Sequence, residues 1–291
     1  MEKKDDGDGV GAGRIGGIGA GGGKGKGKNV PNERKAEAEA RRKAQQDCPQ
    51  PQVNEHPPRD FGDGSYLIKD WSHSHRALLS KIVKQVQAIC WALVLGKILE
   101  FTYNKNRPIA QHKFLDIDSF AEKVKQKPGE RMAQKKLDTD DMAVGSLRKA
   151  MDHICLKGIE KIDGRKKGGA GKAYAIKGRF VGVQNSTAED IAKKVNIGLV
   201  GLTVDVDEGL RGLKKGIYRV PKPQVGAHKH ALTIVGYGMT KEDELFFLVQ
   251  NTWGTGWGDG GYGRMIITDT CDMFYLAEVI NDKKKKEEAL A

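Results

Sequence analysis

Apolar positions fall in two regimes along this chain. Residues 1–60 contain no Phe, Trp, Tyr or Leu, so a core has to come from roughly residues 61–282, enough for one domain with a buried interior. Within that stretch, Cys90 to Phe101 (CWALVLGKILEF) is apolar on nearly all sides and predicts a helix buried in the middle of a domain. Ser146 to Lys157 predicts a second helix, with Leu147, Met151 and Ile154 recurring at helical spacing and Gly158 as C-cap. Ser186-x-x-Glu189 is a capping-box pattern that opens a third, running to about Val195. The period then changes. Leu199–Val206, His230–Val235, Leu245–Val249 and Tyr262–Thr268 are short apolar or alternating runs separated by Gly, Pro and Asp, the pattern of an antiparallel sheet or barrel. A helical first half and a β second half predict an α+β protein whose two subdomains meet at a cleft.

The flanks are different material. Residues 7–28 are Gly-rich with Lys24, Lys26 and Lys28 interleaved, which predicts a flexible basic arm. Residues 32–46 hold good helix formers but no apolar stripe, Pro49, Pro51, Pro57 and Pro58 mark a linker, and Lys283–Lys286 begin a charged tail. With 50 Lys+Arg against 38 Asp+Glu, the chain carries +12. That charge predicts non-specific nucleic-acid association through the basic arm at low salt, and the absence of aromatics there argues against a base-stacking platform. The GxGxxG-like matches in the arm follow no strand and indicate no dinucleotide site. Glycines rather than a run of Leu, Val or Ile follow the first charged residues, unlike a secretory signal. The apolar run from Ala88 to Leu95 is far short of the roughly 20 residues a spanning helix needs, so no membrane insertion is expected. Four widely spaced cysteines without a CxxC pair suggest a reducing compartment. The expected location is intracellular, cytoplasmic or nuclear, or the lysosome or vacuole if the N-terminus is incomplete.

Candidate chemistry begins at Cys90. It starts the buried helix, where the unpaired N–H groups and the macrodipole favour an anion and ease thiolate formation, although an inert core cysteine has the same address. The second half adds HALTIVGYG from His230 and QNTWGTGWGDGGYGRM from Gln250, a Gly and Trp density unusual for a generic sheet. His228-Lys229-His230 and His73-Ser74-His75 lack accompanying Cys or carboxylate clusters, so no metal and no cofactor is expected.

These segments resemble the papain-like cysteine proteases over most of residues 65–280. Asp70-Trp71 is similar to the family's early D-W and Cys90-Trp91-Ala92 to its nucleophile turn. His230-Ala231 with Val235-Gly236-Tyr237-Gly238 resembles the histidine strand, and Asn251 through Gly258 the highly specific asparagine loop. Cys90 and His230 lie 140 positions apart, inside the family window of about 130–150, while Asn251 lies slightly beyond it, at 161. The resemblance implies a papain-like two-subdomain fold over residues 61–282, with a helical half, an antiparallel β-barrel-like half and a cleft between them. Residues 1–60 are then a disordered basic arm and linker, and 283–291 a charged tail. It further implies a cysteine endopeptidase acting on a polypeptide substrate through a thioester: Cys90 as nucleophile, His230 as base and acid, Asn251 as orienter and Trp253 as cover for their hydrogen bond.

The pattern also departs from the family. The oxyanion Gln six residues ahead of the nucleophile is here Lys84; a one-residue deletion aligns Gln85, the residue chosen, with Gln87 as competitor. Ala88 and Ile89 replace small residues of the tight turn, Gln87 replaces a framework cysteine, and Lys229 stands where an acidic or amide residue is usual. A lysine pointing inward there would lower the imidazole pKa. No inhibitory propeptide is recognisable in residues 1–60. The alternative reading is therefore a weak or inactive papain-like pseudoprotease, the same fold used as a binding module, and a third is a basic nucleic-acid-associated protein.

Overall fold

The computed structural model describes residues 59–79, 81–125, 146–162 and 174–280. The basic arm, the 32–46 segment, the proline linker and the lysine tail lie outside the described residues. The described residues all fall in one compact unit spanning His56–Ala291.

The first elements are β1 (Tyr66–Asp70) and the single-turn helices α1 (Trp71–Ser74) and α2 (Arg76–Leu79). Asp70 caps α1 by accepting from the His73 backbone N–H at 3.1 Å, and the Trp71 indole donates to Val195 O at 2.7 Å across the domain. Then comes α3 (Cys90–Asn104), longer than predicted by one turn at its C-terminal end. Trp91, Ala92, Val94, Leu95, Ile98, Leu99 and Phe101 are all buried, so apolar contact surrounds α3 as its sequence predicts. Two more helices follow, α4 (Ile117–Val124) and α5 (Leu147–Leu156).

After the short β2 (Ile159–Glu160) come β3 (Ala175–Ser186), α6 (Ala188–Val195), β4 (Val200–Asp205), the short α7 (Glu208–Gly212) and β5 (Ile217–Val220). The chain then forms β6 (Lys229–Met239), β7 (Leu245–Gln250), β8 (Tyr262–Ile267) and β9 (Cys271–Ile280). The cap of α6 is shifted by one residue from the capping-box reading. Thr187 accepts from the Asp190 N–H at 3.2 Å, while Ser186 is still in strand, held opposite Cys271.

The predicted barrel-like half is a correction: the sheet is open. Its nine strands run β2-β3-β9-β4-β6-β7-β8-β5, with β1 added against β6, and the terminal strands β2 and β5 do not meet. Pairing is antiparallel except for β5, which lies parallel to β8. Strand β6 organises the sheet. Its residues 229–234 pair with β4, its residues 236–239 pair with β1 on the same edge, and β7 lies along the other. That change of partner explains two glycines of the V-G-Y-G run. A Cβ on Gly236 would sit 2.3 Å from Lys69 O, and one on Gly238 would sit 2.0 Å from Tyr66 O. Only the absence of side chains lets β1 close onto β6. Helix α3 packs against β9 and against β6, the strand that carries His230.

Among the described residues, no helix is long and apolar enough to cross a membrane.

Candidate active site

His230 is the second residue of β6, paired with Val204 of β4 and only 3% exposed. Asn251 follows the last residue of β7 and is 2% exposed. The strands fix both backbones, and His230 Nε2 lies 2.7 Å from Asn251 Oδ1. The same oxygen accepts the Thr252 backbone N–H at 2.7 Å. A backbone N–H can only donate, so it fixes which end of the Asn251 amide is oxygen. That oxygen in turn requires the imidazole proton to be on Nε2, leaving Nδ1 as an acceptor. The ring is thus held in the tautomer that can take a proton from a thiol.

Trp253 stacks on the imidazole with centroids 4.4 Å apart and an interplanar angle of 27°, and Trp257 meets Trp253 edge-on. Trp257 is itself pinned, its indole donating to Leu210 O at 2.7 Å. The aromatic pair accounts for the tryptophans of the asparagine loop: one covers the histidine ring and the other braces the cover.

Burial holds the His230 imidazole well below its ordinary pKa, at about 4. The hydrogen bond to Asn251 opposes this, and the positive charges of His228 and Arg211 add to it. Lys229 is not among the causes. Its ammonium pairs with the buried carboxylate of Asp205, its partner across β4 and β6, so the cation faces away from the role its position in sequence suggested. Asp205 also accepts the Gln224 N–H at 2.6 Å; burial pushes its pKa up most, but the Lys229 bond, the Gln224 N–H and the lysine's charge together hold it below the usual carboxylate value.

Cys90 opens α3, its side chain half-buried. Ile89 occupies the N-cap and contributes no side-chain acceptor to the first turn. None of Cys90, Cys155 and Cys271 is in a disulfide, and burial raises the Cys271 thiol to about 11.

The segment before α3 is tied to the asparagine loop by backbone. Gln85 N donates to Thr252 O at 2.7 Å, Gly254 N donates to Val83 O at 3.0 Å, and Lys84 forms a bridge with Trp253. The Thr252 hydroxyl donates to the side-chain carbonyl of Gln85, leaving that amide's nitrogen as its donor end. Lys84 and Gln87 have exposed side chains. Of the three residues considered for the oxyanion donor, Gln85 is therefore the one anchored beside the His230–Asn251 pair. Reading the sequence missed Thr252. The only signal was its place after Asn251, and a hydroxyl in that place has many uses.

Among the described residues, no group of three or more His, Cys, Asp or Glu could hold a metal ion.

Residues 152–278 match the family described as papain family cysteine protease, a stretch that holds His230 and Asn251 and begins after Cys90. Ananain of Ananas comosus is 30% identical over 105 residues, covering 36% of this chain and 29% of ananain. A cathepsin L-like peptidase of Aedes aegypti is 33% identical over 88 residues, 30% of this chain and 26% of the peptidase. The chain thus spans less than a third of the length of these relatives. Among solved structures, bromelain from Ananas comosus in complex with the E64 inhibitor superposes with a TM-score of 0.53 at 20% identity, over 71% of this chain and 96% of bromelain. The Carica candamarcensis protease CMS1MS2, in complex with E-64, gives 0.51 at 17%, over 72% and 97%. The structural match covers more of the chain than the sequence match, so it reaches beyond the second half. Residues 152–278 thus match the papain family of cysteine proteases in sequence, and most of the chain shares the fold of the solved papain-like proteases.

Proposed function

We propose that this protein is a cysteine endopeptidase in which Cys90 attacks a peptide carbonyl, with a peptidase domain at residues 61–282. The observation that carries the reading is the His230–Asn251–Thr252 chain of hydrogen bonds, which selects the one imidazole tautomer able to accept a thiol proton. A merely structural histidine needs no such selection.

In the proposed reaction, His230 Nδ1 takes the Cys90 proton. Burial disfavours an isolated imidazolium, but a thiolate beside it supplies the missing counter-charge, so the two ionise as a pair. The thiolate adds to the scissile carbonyl. The oxygen's developing charge meets the backbone N–H of Cys90 and the amide nitrogen of Gln85, with the helix start adding its dipole. His230 returns the proton to the leaving amine, and the carbonyl carbon remains bound to sulfur as a thioester. Water, deprotonated by His230, then attacks the thioester and regenerates the thiol. Asn251 adds no charge in these steps. It keeps the ring aligned through both proton transfers, and Trp253 keeps water off the aligning bond.

The test is intact-mass labelling with the E-64 epoxide, the inhibitor bound in the two solved relatives, alongside Cys90→Ala and His230→Ala. One adduct that requires both residues is expected, together with hydrolysis of a fluorogenic peptide. Folded protein that takes no adduct and reacts only slowly with a general alkylator would leave the binding-module reading in its place.

A separate reading rests on the Gly-rich arm with Lys24, Lys26 and Lys28 interleaved: non-specific association with nucleic acid, falling steeply as salt rises and lost on truncation at residue 60, while peptidase activity is kept.

A further inference from the structure

Helix α3 is apolar nearly all round, yet Lys97 sits in its middle, two turns from Cys90. Its ammonium donates to the side-chain carbonyl of Gln250 and more distantly, at 3.4 Å, to Lys81 O. Gln250 is only 2% exposed, and its other end is equally occupied. The amide nitrogen donates to Leu79 O at 2.7 Å and to the Tyr262 hydroxyl at 2.9 Å, and that hydroxyl donates to Leu79 O at 3.1 Å. The cation at one end and two oxygens at the other leave the Gln250 amide a single orientation.

Three chain segments meet at this junction, and each leads to a different part of the site. Helix α3 begins with Cys90. Gln250 ends β7 and is bonded covalently to Asn251. Leu79 and Lys81 lead into residues 83–85, which pair with 252–254 and carry Gln85. The junction touches no reacting atom, but it joins the backbones of the nucleophile, the orienter and the oxyanion donor behind the cleft.

Stability alone does not explain a lysine here. Desolvation weighs against the ammonium, whose pKa is drawn down to about 8 by burial and by Lys81, with Glu100 opposing. A methionine of similar length could fill the same space without that penalty. What an apolar side chain could not do is orient Gln250.

We propose that Lys97, acting through Gln250, is a positioning residue that sets the register of Cys90 against the His230–Asn251 pair. The proposal rests on the peptidase reading given above, and its test separates the two. The readout is the rate of Cys90 alkylation by iodoacetamide against pH, located by peptide mass mapping, with kcat and KM on a peptide substrate and a thermal melt as controls.

Wild-type protein is expected to show an apparent Cys90 pKa well below the roughly 8.5 of a free thiol. Lys97→Met raises that value by about one unit and lowers kcat about tenfold, with KM within about twofold and an unchanged or higher melting temperature, because misalignment acts on the reacting geometry rather than on binding. Lys97→Arg, which keeps a charged donor, recovers most of the loss. Tyr262→Phe, which removes one hydroxyl from the junction, shifts the profile the same way by less, and decides the matter if Lys97→Met does not fold. Identical profiles and kcat in wild type, Lys97→Met and Tyr262→Phe would overturn the proposal while leaving the peptidase reading intact. An ordinary thiol profile in the wild type would overturn both, and would show before any substitution is made.

Discussion

Thr252 binds Gln85 twice, accepting its backbone N–H and donating a hydroxyl proton to its side-chain carbonyl. In the proposed reaction, the residue that follows the orienter therefore also holds the oxyanion donor. Gln85→Ala should reduce kcat by about 10²–10³, the usual loss for one oxyanion donor. Gln87→Ala, which changes an exposed side chain, should leave kcat within about twofold, so steady-state kinetics on the two variants tests the choice of Gln85 directly. Thr252→Val should give an intermediate loss that Thr252→Ser restores.

His230 makes folding pH-dependent in a calculable direction. Its pKa of about 4 in the fold is below the roughly 6.5 of the unfolded chain, so the unfolded state binds the proton more readily. The stability it gives is complete above pH 6.5 and is lost as pH falls toward 4. In a Cys90→Ala background, where no thiolate can accompany the imidazolium, lowering pH from 7 to 4.5 should cost about 2.5 kcal/mol. Denaturant titrations of Cys90→Ala and Cys90→Ala/His230→Gln at the two pH values measure the difference, and the double variant should lack most of it.

The Lys229–Asp205 pair is partly exposed on the lysine side and buried on the aspartate side. Lys229→Ala should destabilise the fold by about 1–2 kcal/mol at pH 7, discounted from the usual figure for a buried pair because solvent reaches the lysine. Asp205→Asn in the same background should recover part of the loss, since no uncompensated charge then remains in the sheet. Thermal melts of the single and double variants close the cycle.

Gly236→Ala and Gly238→Ala each place a methyl group on backbone rather than on a yielding side chain. Each should destabilise by at least about 2 kcal/mol and detach β1 from β6. Hydrogen exchange is the sensitive readout, with protection lost first in residues 66–70.

The β half was legible because its signals are local. The strands around His230 and Asn251 are short, nearly continuous apolar runs beside a dense run of Gly and Trp, and they form where the sequence places them. Strands β3 and β9 were not read, because Ala175–Ser186 and Cys271–Ile280 mix apolar, charged and glycine positions and gain their order from pairing with each other. The open sheet was equally hidden: closure depends on whether the edge strands meet, and no local pattern records that. Lys97 did leave a trace, as a lone charge inside CWALVLGKILEF, but its partner is 153 positions away and nothing in either segment names the other.

The two backbone bonds between residues 83–85 and 252–254 also bear on how a substrate of the proposed reaction would enter. They stitch the wall ahead of the nucleophile to the loop behind the imidazole. Swinging these segments apart like a jaw would break main-chain bonds beside the proposed reacting centre. In the proposed reaction the substrate, rather than the protein, would then do the adapting. An extended, locally unfolded segment can thread into such a slot, whereas a packed helix or sheet would first have to come undone, so the rate of cutting a folded target would follow that target's own breathing.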